Sequence, residues 1–433
     1  MYNPVSIINV VAWGEQVGAV ALNPRTGYYA FEYSAKWLKT GIELSPFNLP
    51  LQKKVFQFPE LPEETYNRLP AMLSDALPDK FGHALINAAL ADEGVSKENI
   101  TALDRLAYMA DRGMGALEFK PSRGRHRAMP TAIQLSSLVA GAKNALEGKF
   151  NGDSETESAI RSIIQVGISA GGARAKAVIA WNPETNEIKS GNLPHGQYFE
   201  PWLIKLDGVG TDLALGSGGD YGRIEYAYHL MAVEAGIQMS ECRLLEENGR
   251  AHFMTRRFDR EDGEKHHIQT LCAIRHLDFN AIGVHSYNQY LETISGLKLD
   301  DERMQQGFRR MVFNVLACNH DDHTKNFSFL FKKCGQWDLS PAYDITFAFN
   351  PDNKWTRQQL MSVNGKFTAI EKSDFMEIAD RFMVRGAKMV IAEVADALGQ
   401  WRVFAERAGI TRQAAIDRIA NAIASKTLRL RQN

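Results

Sequence analysis

The chain contains little cysteine and no long apolar run. Its cysteines are Cys242, Cys272, Cys318 and Cys334. Because no two of them form a CxxC pair, the sequence argues against a disulfide framework and against a zinc site. No apolar run reaches the length of a membrane span, and the N-terminus lacks the order of segments that marks a secretory signal. We therefore expect a soluble cytoplasmic protein without a membrane partner.

The chain also lacks an excess of charge of either sign. Its 433 residues include 50 basic and 51 acidic side chains, which gives a formal net charge of −1. This balance argues against a protein that coats nucleic acid, so any DNA contact would need a local patch or a partner protein. The length suggests about three domains at roughly 150 residues each.

The first part of the chain reads as a small sheet followed by helices. Three β-prone runs, separated by turn residues, lie within residues 5–33 and predict antiparallel strands. Apolar residues at helical spacing occupy residues 75–90 and 101–109, which predicts helices packed beneath the sheet. A polar stretch at residues 120–127 is typical of a linker. We expect an N-terminal subdomain over residues 1–125.

The middle of the chain is rich in predicted strands. They lie at residues 166–169, 177–181, 202–206 and 251–258. A helix begins near Ile224 and is closed by Gly236. We expect residues 126–258 to form one lobe, with a glycine-rich loop, and residues 259–433 to form a second, mainly helical lobe.

The densest polar cluster in the chain lies at residues 319–326. It directly follows an apolar helical stripe that ends at Leu316. Alternating phenylalanines then predict a strand over residues 327–331, and a turn at residues 333–336 sends the chain back. This hairpin should bring Asp344 close to the polar cluster.

A helix, a polar loop with the spacing Asp-x-x-x-x-Asn, a hairpin and a second Asp is the order found in protein-kinase catalytic lobes. Phosphoryl transfer needs an acid that accepts the proton of the attacking hydroxyl, and Asp321 fits that role. It also needs oxygen ligands for Mg²⁺ on the phosphates of ATP, and Asn326 and Asp344 fit that role. The short motif alone is also typical of a loop cap, and its context favours catalysis.

Three further parts of a kinase precede the cluster in the expected order. A turn at residues 169–176 would cover phosphates with its backbone N–H groups. Lys205 is a cation on an apolar strand, and Glu225, at the start of the next helix, would pair with it and orient it. Each part has an ordinary alternative: a hairpin turn, an edge-strand lysine and compensation of a helix dipole. We assign these residues of the turn to the nucleotide: Gly171, Gly172, Ala173, Arg174 and Lys176.

The segment between the two predicted lobes is a candidate hinge. Arg256, Arg257 and Phe258 follow the strand that leads out of the first lobe. An adenine ring would rest beside their backbone groups, with Phe258 supplying apolar area. An exposed charged turn has the same sequence features.

These segments together resemble the HipA toxin kinases of bacterial toxin–antitoxin pairs. Residues 169–176 resemble the family's phosphate-loop segment, whose serine is autophosphorylated. Residues 321–328 resemble its catalytic loop, residues 339–345 its metal-binding segment, and residues 257–260 its hinge. Residues 73–79, after the N-terminal sheet, resemble part of its N-terminal subdomain, so the resemblance spans nearly the whole chain.

The resemblance implies a fold and an activity. The fold is α+β, a protein-kinase-like bilobal fold with an N-terminal β-rich subdomain and a mainly helical C-terminal lobe. The activity is that of an ATP- and Mg²⁺-dependent serine/threonine protein kinase, whose relatives phosphorylate an aminoacyl-tRNA synthetase. Autophosphorylation would fall on Ser169, Lys205 would hold the phosphates, and His323 joins the catalytic and nucleotide-binding residues.

The resemblance also implies a partner. This is a small helix-turn-helix antitoxin, similar to HipB, that neutralises the kinase and represses the shared operon, so the kinase would reach DNA only through it. Two positions depart from the commonest pattern. Asp322 stands where a glycine is frequent, and Arg256 stands where a well-known member has an acid.

Three other functions are weighed against this one. The run from His320 to His323 would suit a metal-dependent phosphoester hydrolase, although neighbouring loop residues seldom all reach one ion. A small-molecule kinase shares the same catalytic parts. A catalytically silent scaffold would act only as a co-repressor with an antitoxin.

Overall fold

The computed structural model describes residues 2–78, 80–92, 94–123, 135–147, 175–191, 198–209, 220–333 and 335–431. The chain divides into two compact units. The first unit comprises Met1–Gly210, Met254–His276 and Leu330–Gln336, and the second comprises Thr211–Phe253, Leu277–Phe329 and Trp337–Asn433. The strand predicted at residues 166–169 lies outside the described residues.

Strands dominate the N-terminal part of the chain. In chain order they are β1 (Ile7–Ala12), β2 (Glu15–Leu22), β3 (Tyr29–Tyr33), β4 (Val55–Phe56), β5 (Leu117–Lys120), β6 (Lys176–Trp181), β7 (Ile188–Ser190), β8 (Glu200–Lys205), β9 (Cys242–Glu247), β10 (Arg250–Arg256), β11 (Arg260–Glu261), β12 (Glu264–Lys265), β13 (His267–Thr270), β14 (His285–Ser286), β15 (Ser328–Lys332), β16 (Gln336–Leu339) and β17 (Met361–Ser362).

Helices dominate the C-terminal part. In chain order they are α1 (Glu63–Tyr66), α2 (Ala71–Ser74), α3 (Lys80–Asp92), α4 (Ala102–Met109), α5 (Leu135–Glu147), α6 (Tyr221–Glu234), α7 (Leu271–Ile274), α8 (Tyr287–Gly296), α9 (Asp301–Leu316), α10 (Lys372–Arg381), α11 (Ala387–Gly399), α12 (Trp401–Arg407) and α13 (Gln413–Arg431). Short 3-10 helices cover Trp37–Lys39, Lys97–Asn99 and Thr324–Asn326. No helix among the residues described is long and apolar enough to cross a bilayer.

The N-terminal sheet of the first unit has the strand order β4-β3-β2-β1-β5. Its β1, β2 and β3 are the antiparallel strands predicted from the sequence. Ile8 pairs with Val20, and both side chains are fully buried, so the alternating apolar residues of this hairpin face the core. The sequence reading missed β4 and β5, which close the two edges of the sheet.

The helix prediction at residues 75–90 is wrong at its start. The helix begins only at Lys80, because Pro78 cannot donate a backbone hydrogen bond and disfavours helical geometry in the residue before it. Asp75 has a different role, since its carboxylate accepts hydrogen bonds from the backbone N of Thr270 at 2.7 Å and from its Oγ1 at 2.8 Å. The prediction at residues 101–109 is confirmed by α4, which Thr101 caps.

In the second unit, α9 is the central buried helix. Asp300 caps it by accepting a hydrogen bond from the backbone N of Arg303 at 3.0 Å. The stripe predicted for this helix is confirmed, because Phe308, Met311 and Val312 are all fully buried. The C-terminus of α9 leads directly into the polar cluster.

The first turn of α6 lies very close to strand β10. A Cβ atom added to Gly222 would lie 1.9 Å from the carbonyl oxygen of Ala251, so only glycine fits at this position. At the other end, Gly236 follows the helix with φ of +76°, a left-handed conformation that ends helices. The predicted closure at Gly236 is therefore confirmed.

Candidate active site

The polar cluster is fixed at both ends by hydrogen bonds to neighbouring elements. At its start, the side-chain amide of Asn319 donates to Oδ1 of Asn314 on α9 at 2.9 Å. Further along, Thr324 donates from Oγ1 to the carbonyl oxygen of Leu277 at 2.7 Å and begins a single 3-10 turn. The loop between them carries Asp321 and has little freedom to change its path.

Asp321 presents a partly exposed carboxylate, with 40% of its side chain open to solvent. The indole nitrogen of Trp355 donates a hydrogen bond to its Oδ1 at 2.8 Å. The Nε2 atom of His323 lies 3.7 Å from the same oxygen. Within the described part of the chain Oδ2 has no hydrogen-bond donor. One oxygen is thus held in place while the other can accept a proton, which is the arrangement a general base requires.

Three aromatic rings lie close to one another, and two of them contact this carboxylate. The rings of Phe279 and His323 are 5.4 Å apart, those of His323 and Trp355 are 6.2 Å apart, and those of Phe279 and Trp355 are 6.5 Å apart. The Nζ atom of Lys325 lies 4.8 Å from the centroid of Phe279. The three rings thus form an aromatic group beside an exposed acid.

The side chain of Asn326 is tied to its own loop. Its amide nitrogen donates to the carbonyl oxygen of Asp321 at 2.7 Å, which orients the side chain. Among the described residues no donor reaches the oxygen of the same amide, and an amide oxygen is a suitable ligand for a hard cation.

The predicted hairpin brings the segment before Asp344 back to the loop. β15 and β16 are neighbours, and the backbone N of Ser340 donates to the carbonyl oxygen of Ser328 at 3.1 Å. The hydroxyl of Tyr343 donates to the carbonyl oxygen of Lys325 at 2.8 Å and accepts from the hydroxyl of Ser328. Lys325 and Tyr343 are thus hydrogen-bonded to each other. Asn326 is the next residue after Lys325, and Asp344 is the next residue after Tyr343. Asp344 itself has φ of +53°, an uncommon conformation that is enriched at functional sites.

Asp322, next to the exposed acid, is fully buried. Its carboxylate accepts hydrogen bonds from the hydroxyl of Tyr287 at 2.7 Å and from the backbone N of Leu360 at 2.7 Å. With its amide oriented to donate, Gln359 places its nitrogen 2.9 Å from Oδ2. Burial raises the pKa of Asp322 to about 7, although these hydrogen bonds oppose the shift.

His320 is a buried neutral ring rather than part of a metal cluster. Its Nδ1 lies 2.9 Å from the carbonyl oxygen of Thr356, and its ring lies 4.9 Å from that of Phe349. Burial lowers its pKa to about 3. In the described ranges, no group of three or more His, Cys, Asp or Glu side chains is arranged to hold a metal ion.

The predicted phosphate-binding lysines lie opposite one another in the first unit. β6 pairs with β8 in antiparallel register, and Lys176 is the direct partner of Lys205. Directly opposed residues project from the same face of a sheet, so two cations share one face. The Lys176 side chain is buried and that of Lys205 is half-buried. Glu225 is buried on α6 in the second unit.

The hinge residues of the first unit differ in their surroundings. Arg256 is exposed and lies 3.6 Å from Glu200, whereas Phe258 is half-buried. Arg257 is buried and donates from Nε and Nη2 to the two oxygens of Asp259, at 2.9 and 2.6 Å. The observed partners of the Arg257 guanidinium are thus protein groups, and its contact with a nucleotide stays a prediction.

Asp259 is the centre of a buried ion-pair network. It also accepts from Arg260 at 2.5 Å and from the backbone N of Gly115 at 2.8 Å. Burial alone would favour the neutral acid, but Arg257 and Arg260 hold the pKa of Asp259 well below its usual range. The network ties the hinge to the segment before β5, and nothing in the sequence marked Asp259 for this role.

Several predicted nucleotide-binding residues lie outside the described residues. They are Ser169, Gly171, Gly172, Ala173 and Arg174.

Comparison with known families identifies the chain. Residues 168–425 match the family described as the HipA-like C-terminal domain, and residues 8–120 match the HipA N-terminal domain. The chain belongs to the HipA family. No curated protein sequence matches this HipA-family chain.

One solved structure of similar length shares the fold. The chain is similar to HipA of Shewanella oneidensis MR-1, from the complex of that toxin–antitoxin system with HipB and operator DNA, with a TM-score of 0.67 at 14% identity. That match covers 98% of this chain and 97% of the other. A match to the Helicobacter pylori proinflammatory kinase CtkA has a TM-score of 0.35 at 11% identity and covers 53% of this chain and 88% of that one. The expected α+β fold class, with a β-rich N-terminal part and a mainly helical C-terminal part, is confirmed. The domain limits at residues 125 and 258 stay predictions.

Proposed function

We propose that this HipA-family chain is an ATP- and Mg²⁺-dependent serine/threonine protein kinase that acts as the toxin of a toxin–antitoxin pair. The observation that carries the proposal is the state of Asp321. Trp355 donates to one of its oxygens, no described residue donates to the other, and the carboxylate lies on the loop that also carries Asn326. In this role Asp321 accepts the proton of the attacking hydroxyl.

The donor set fits a magnesium ion. Asn326 offers an amide oxygen because its nitrogen is used by the loop, and Asp344 offers a carboxylate. Both are hard oxygen ligands, and Mg²⁺ in such sites completes its shell with water and phosphate oxygens. When bound, the ion neutralises charge that develops on the transferred phosphoryl group.

The pair of lysines fits the phosphates of ATP. Both lysines lie on one face of the sheet, and clustered positive charge favours the binding of anions. We assign Lys205 and Lys176 to two neighbouring phosphates, and Glu225 is the proposed partner that orients Lys205. His323 and the hinge residues Arg256, Arg257 and Phe258 are proposed further contacts of the nucleotide.

The biological setting is proposed from the family. The similar HipA structure contains HipB and operator DNA, so we expect a small helix-turn-helix antitoxin for this chain and contact with DNA only through it. The expected target is a translation component in the cytoplasm, such as an aminoacyl-tRNA synthetase. Ser169 is the proposed autophosphorylation site.

The activity can be tested with purified chain, labelled ATP and Mg²⁺. Asp321→Ala and Asp321→Asn are compared with Asp352→Ala, which removes an exposed carboxylate elsewhere in the same unit. We expect label on Ser169, and on protein substrates, in the parent and in Asp352→Ala, and none in the Asp321 variants. Label only on added metabolites would identify a small-molecule kinase. Absence of turnover would identify a silent scaffold, and chelator-sensitive phosphodiester cleavage a hydrolase.

The toxin role needs a separate test in cells. Expression of the parent chain without its partner should slow growth, and expression of Asp321→Ala should not. Co-expression of the neighbouring open reading frame should restore growth if it encodes the antitoxin. Equal growth of the parent and Asp321→Ala strains would contradict the toxin role and leave the biochemical activity to the labelling experiment.

A further inference from the structure

The carboxyl group of Asp322 is the centre of a polar network that the kinase activity proposed above does not require. It is fully buried, and three of the hydrogen bonds that it receives come from outside its own loop. The donors are the hydroxyl of Tyr287, the backbone N of Leu360 and the amide nitrogen of Gln359. Three donors therefore surround the two oxygens of this carboxyl group.

The donors belong to elements that are far apart in the chain. Tyr287 is the first residue of α8, and Leu360 precedes β17. The hydroxyl of Tyr287 also accepts a hydrogen bond from the Asn314 side chain on α9 at 3.1 Å. Asp322 therefore links the loop to two helices and to the segment at residues 359–360.

The network also includes Asn319, which lies at the start of the same loop. Asn314 accepts from the Asn319 side chain at 2.9 Å, and Gln359 lies 3.1 Å from the carbonyl oxygen of Asn319. Residues 319 and 322 are thus held by one set of side chains. A short stretch of backbone fixed at both ends leaves the residue between them, Asp321, few orientations.

Asp321 depends on such support, because little else holds it. Its side chain is 40% exposed, and its contacts with the described residues are the hydrogen bond from Trp355 and the approach of His323. Its carbonyl oxygen also accepts from Asn326. A displacement of this backbone would therefore move the general base and the proposed metal ligand together.

We propose that Asp322 is the positioning residue of the catalytic loop, fixing the backbone from which Asp321 and Asn326 act. The inference rests on the proposed kinase function for its effect on turnover, and on the structure alone for its effect on the loop. Removal of the carboxyl leaves three buried donors without an acceptor, which favours a loop that opens.

The test uses the full chain and measures loop order and turnover separately. The variants are Asp322→Ala, Asp322→Asn and Tyr287→Phe, which removes one donor with little change in volume. The matched control is Asp374→Asn, because Asp374 is also a buried acid of this unit but accepts from Lys366 and the backbone N of Glu371 on a different helix. Loop order is read by hydrogen exchange of peptides over residues 318–328 and 358–363, and turnover by kcat and KM for ATP.

We expect Asp322→Ala to raise the opening of loop amides by about tenfold or more, Asp322→Asn to lie between it and the parent, and the control to leave the loop unchanged. The kcat should fall by about tenfold or more, whereas KM for ATP should change by less than about threefold. This difference is expected because the substitution disturbs the catalytic loop and leaves the nucleotide contacts intact. If Asp322→Ala does not fold, Tyr287→Phe gives the same loop comparison.

Two results would overturn the inference. One is unchanged loop exchange in the folded variants, and the other is an equal change in Asp374→Asn. A parent chain without kinase activity, combined with a loop that opens in the Asp322 variants, would contradict the proposed function and support the positioning role. The failure of one proposal is therefore distinguishable from the failure of the other.

Discussion

The indole nitrogen of Trp355 lies 2.8 Å from Oδ1 of Asp321 and donates a hydrogen bond to it across 34 residues of sequence. Hydrogen bonds to charged groups are shorter and stronger than those between neutral groups. The indole fixes the position of one oxygen of the carboxylate. A residue that the sequence does not connect with catalysis thus sets the direction of the proposed base.

The substitution Trp355→Phe should lower kcat without a large effect on nucleotide binding. It keeps an aromatic ring beside Asp321 but removes the N–H donor. We expect kcat to fall by about tenfold, which corresponds to the loss of one hydrogen bond to a charged group, with KM for ATP nearly unchanged. Steady-state kinetics measure both values. Trp337→Phe makes the same change on β16 and should keep kcat within about twofold, and an unchanged kcat in Trp355→Phe would remove the orienting role.

The substitutions Asn326→Ala and Asp344→Ala should act through the metal ion. Loss of the Asn326 oxygen leaves one protein ligand, so the Mg²⁺ concentration for half-maximal turnover should rise by about tenfold. Loss of the Asp344 carboxylate should abolish turnover, because it removes the proposed negatively charged ligand of the metal ion. A titration of Mg²⁺ at fixed ATP measures the first effect. Asn421→Ala, an exposed asparagine on α13, is the control, and an unchanged Mg²⁺ requirement in Asn326→Ala would exclude the residue as a ligand.

The burial of Asp322 predicts how stability depends on pH. Burial raises its pKa from 3.8 to about 7, so between these values the folded chain keeps a proton that the unfolded chain has released. The contribution of Asp322 to the free energy of unfolding therefore falls as pH rises through this window and is constant above it. Two titratable side chains face Asp322: Tyr287 and the adjacent Asp321. Burial raises the pKa of Tyr287, so the tyrosine stays neutral between about pH 4 and pH 7.

The measurement is urea unfolding of the parent and of Asp322→Asn, followed from about pH 5 to pH 8. The asparagine does not titrate, so the parent should lose stability relative to the variant as pH rises to 7. Above pH 7 the difference between them should be constant. A difference that does not vary between pH 5 and 7 would contradict the raised pKa.

The ion-pair network at Asp259 predicts a large loss of stability on substitution. Asp259→Ala leaves Arg257 and Arg260 facing each other at a buried site, and breaking a buried ion pair costs about 3–5 kcal/mol. Glu246→Gln removes the partly exposed partner of Arg223 and should cost less than about 1 kcal/mol. Chemical unfolding of both variants gives the comparison. A cost for Asp259→Ala no larger than that of the control would show that the network is not a source of stability.

Local sequence patterns predicted the elements that position the site. The stripe of α9 and the alternation of phenylalanines in β15 have periods that hardly depend on the rest of the chain. The hairpin that follows β15 is also a local feature. The order of helix, loop, hairpin and second acid could therefore be obtained without coordinates.

The contacts that orient the acids could not be obtained in this way. Trp355 and Tyr287 reach the loop from 34 and 35 residues away, and neither has a distinctive local pattern. Arg257 looked like an exposed hinge charge because its partner Asp259 is only two residues away, yet both are buried through contacts with residues near Gly115. Burial depends on packing between distant segments, so sequence spacing alone did not reveal it.

The close approach of α6 to β10 limits how this protein can be regulated. With no side chain at Gly222, the start of the helix is in direct contact with the backbone of Ala251. An on–off control that swings this helix outward would have to carry the strand with it or separate a tightly packed contact. Regulation that leaves α6 in place, such as phosphorylation of a loop or binding of a partner, does not require this contact to break.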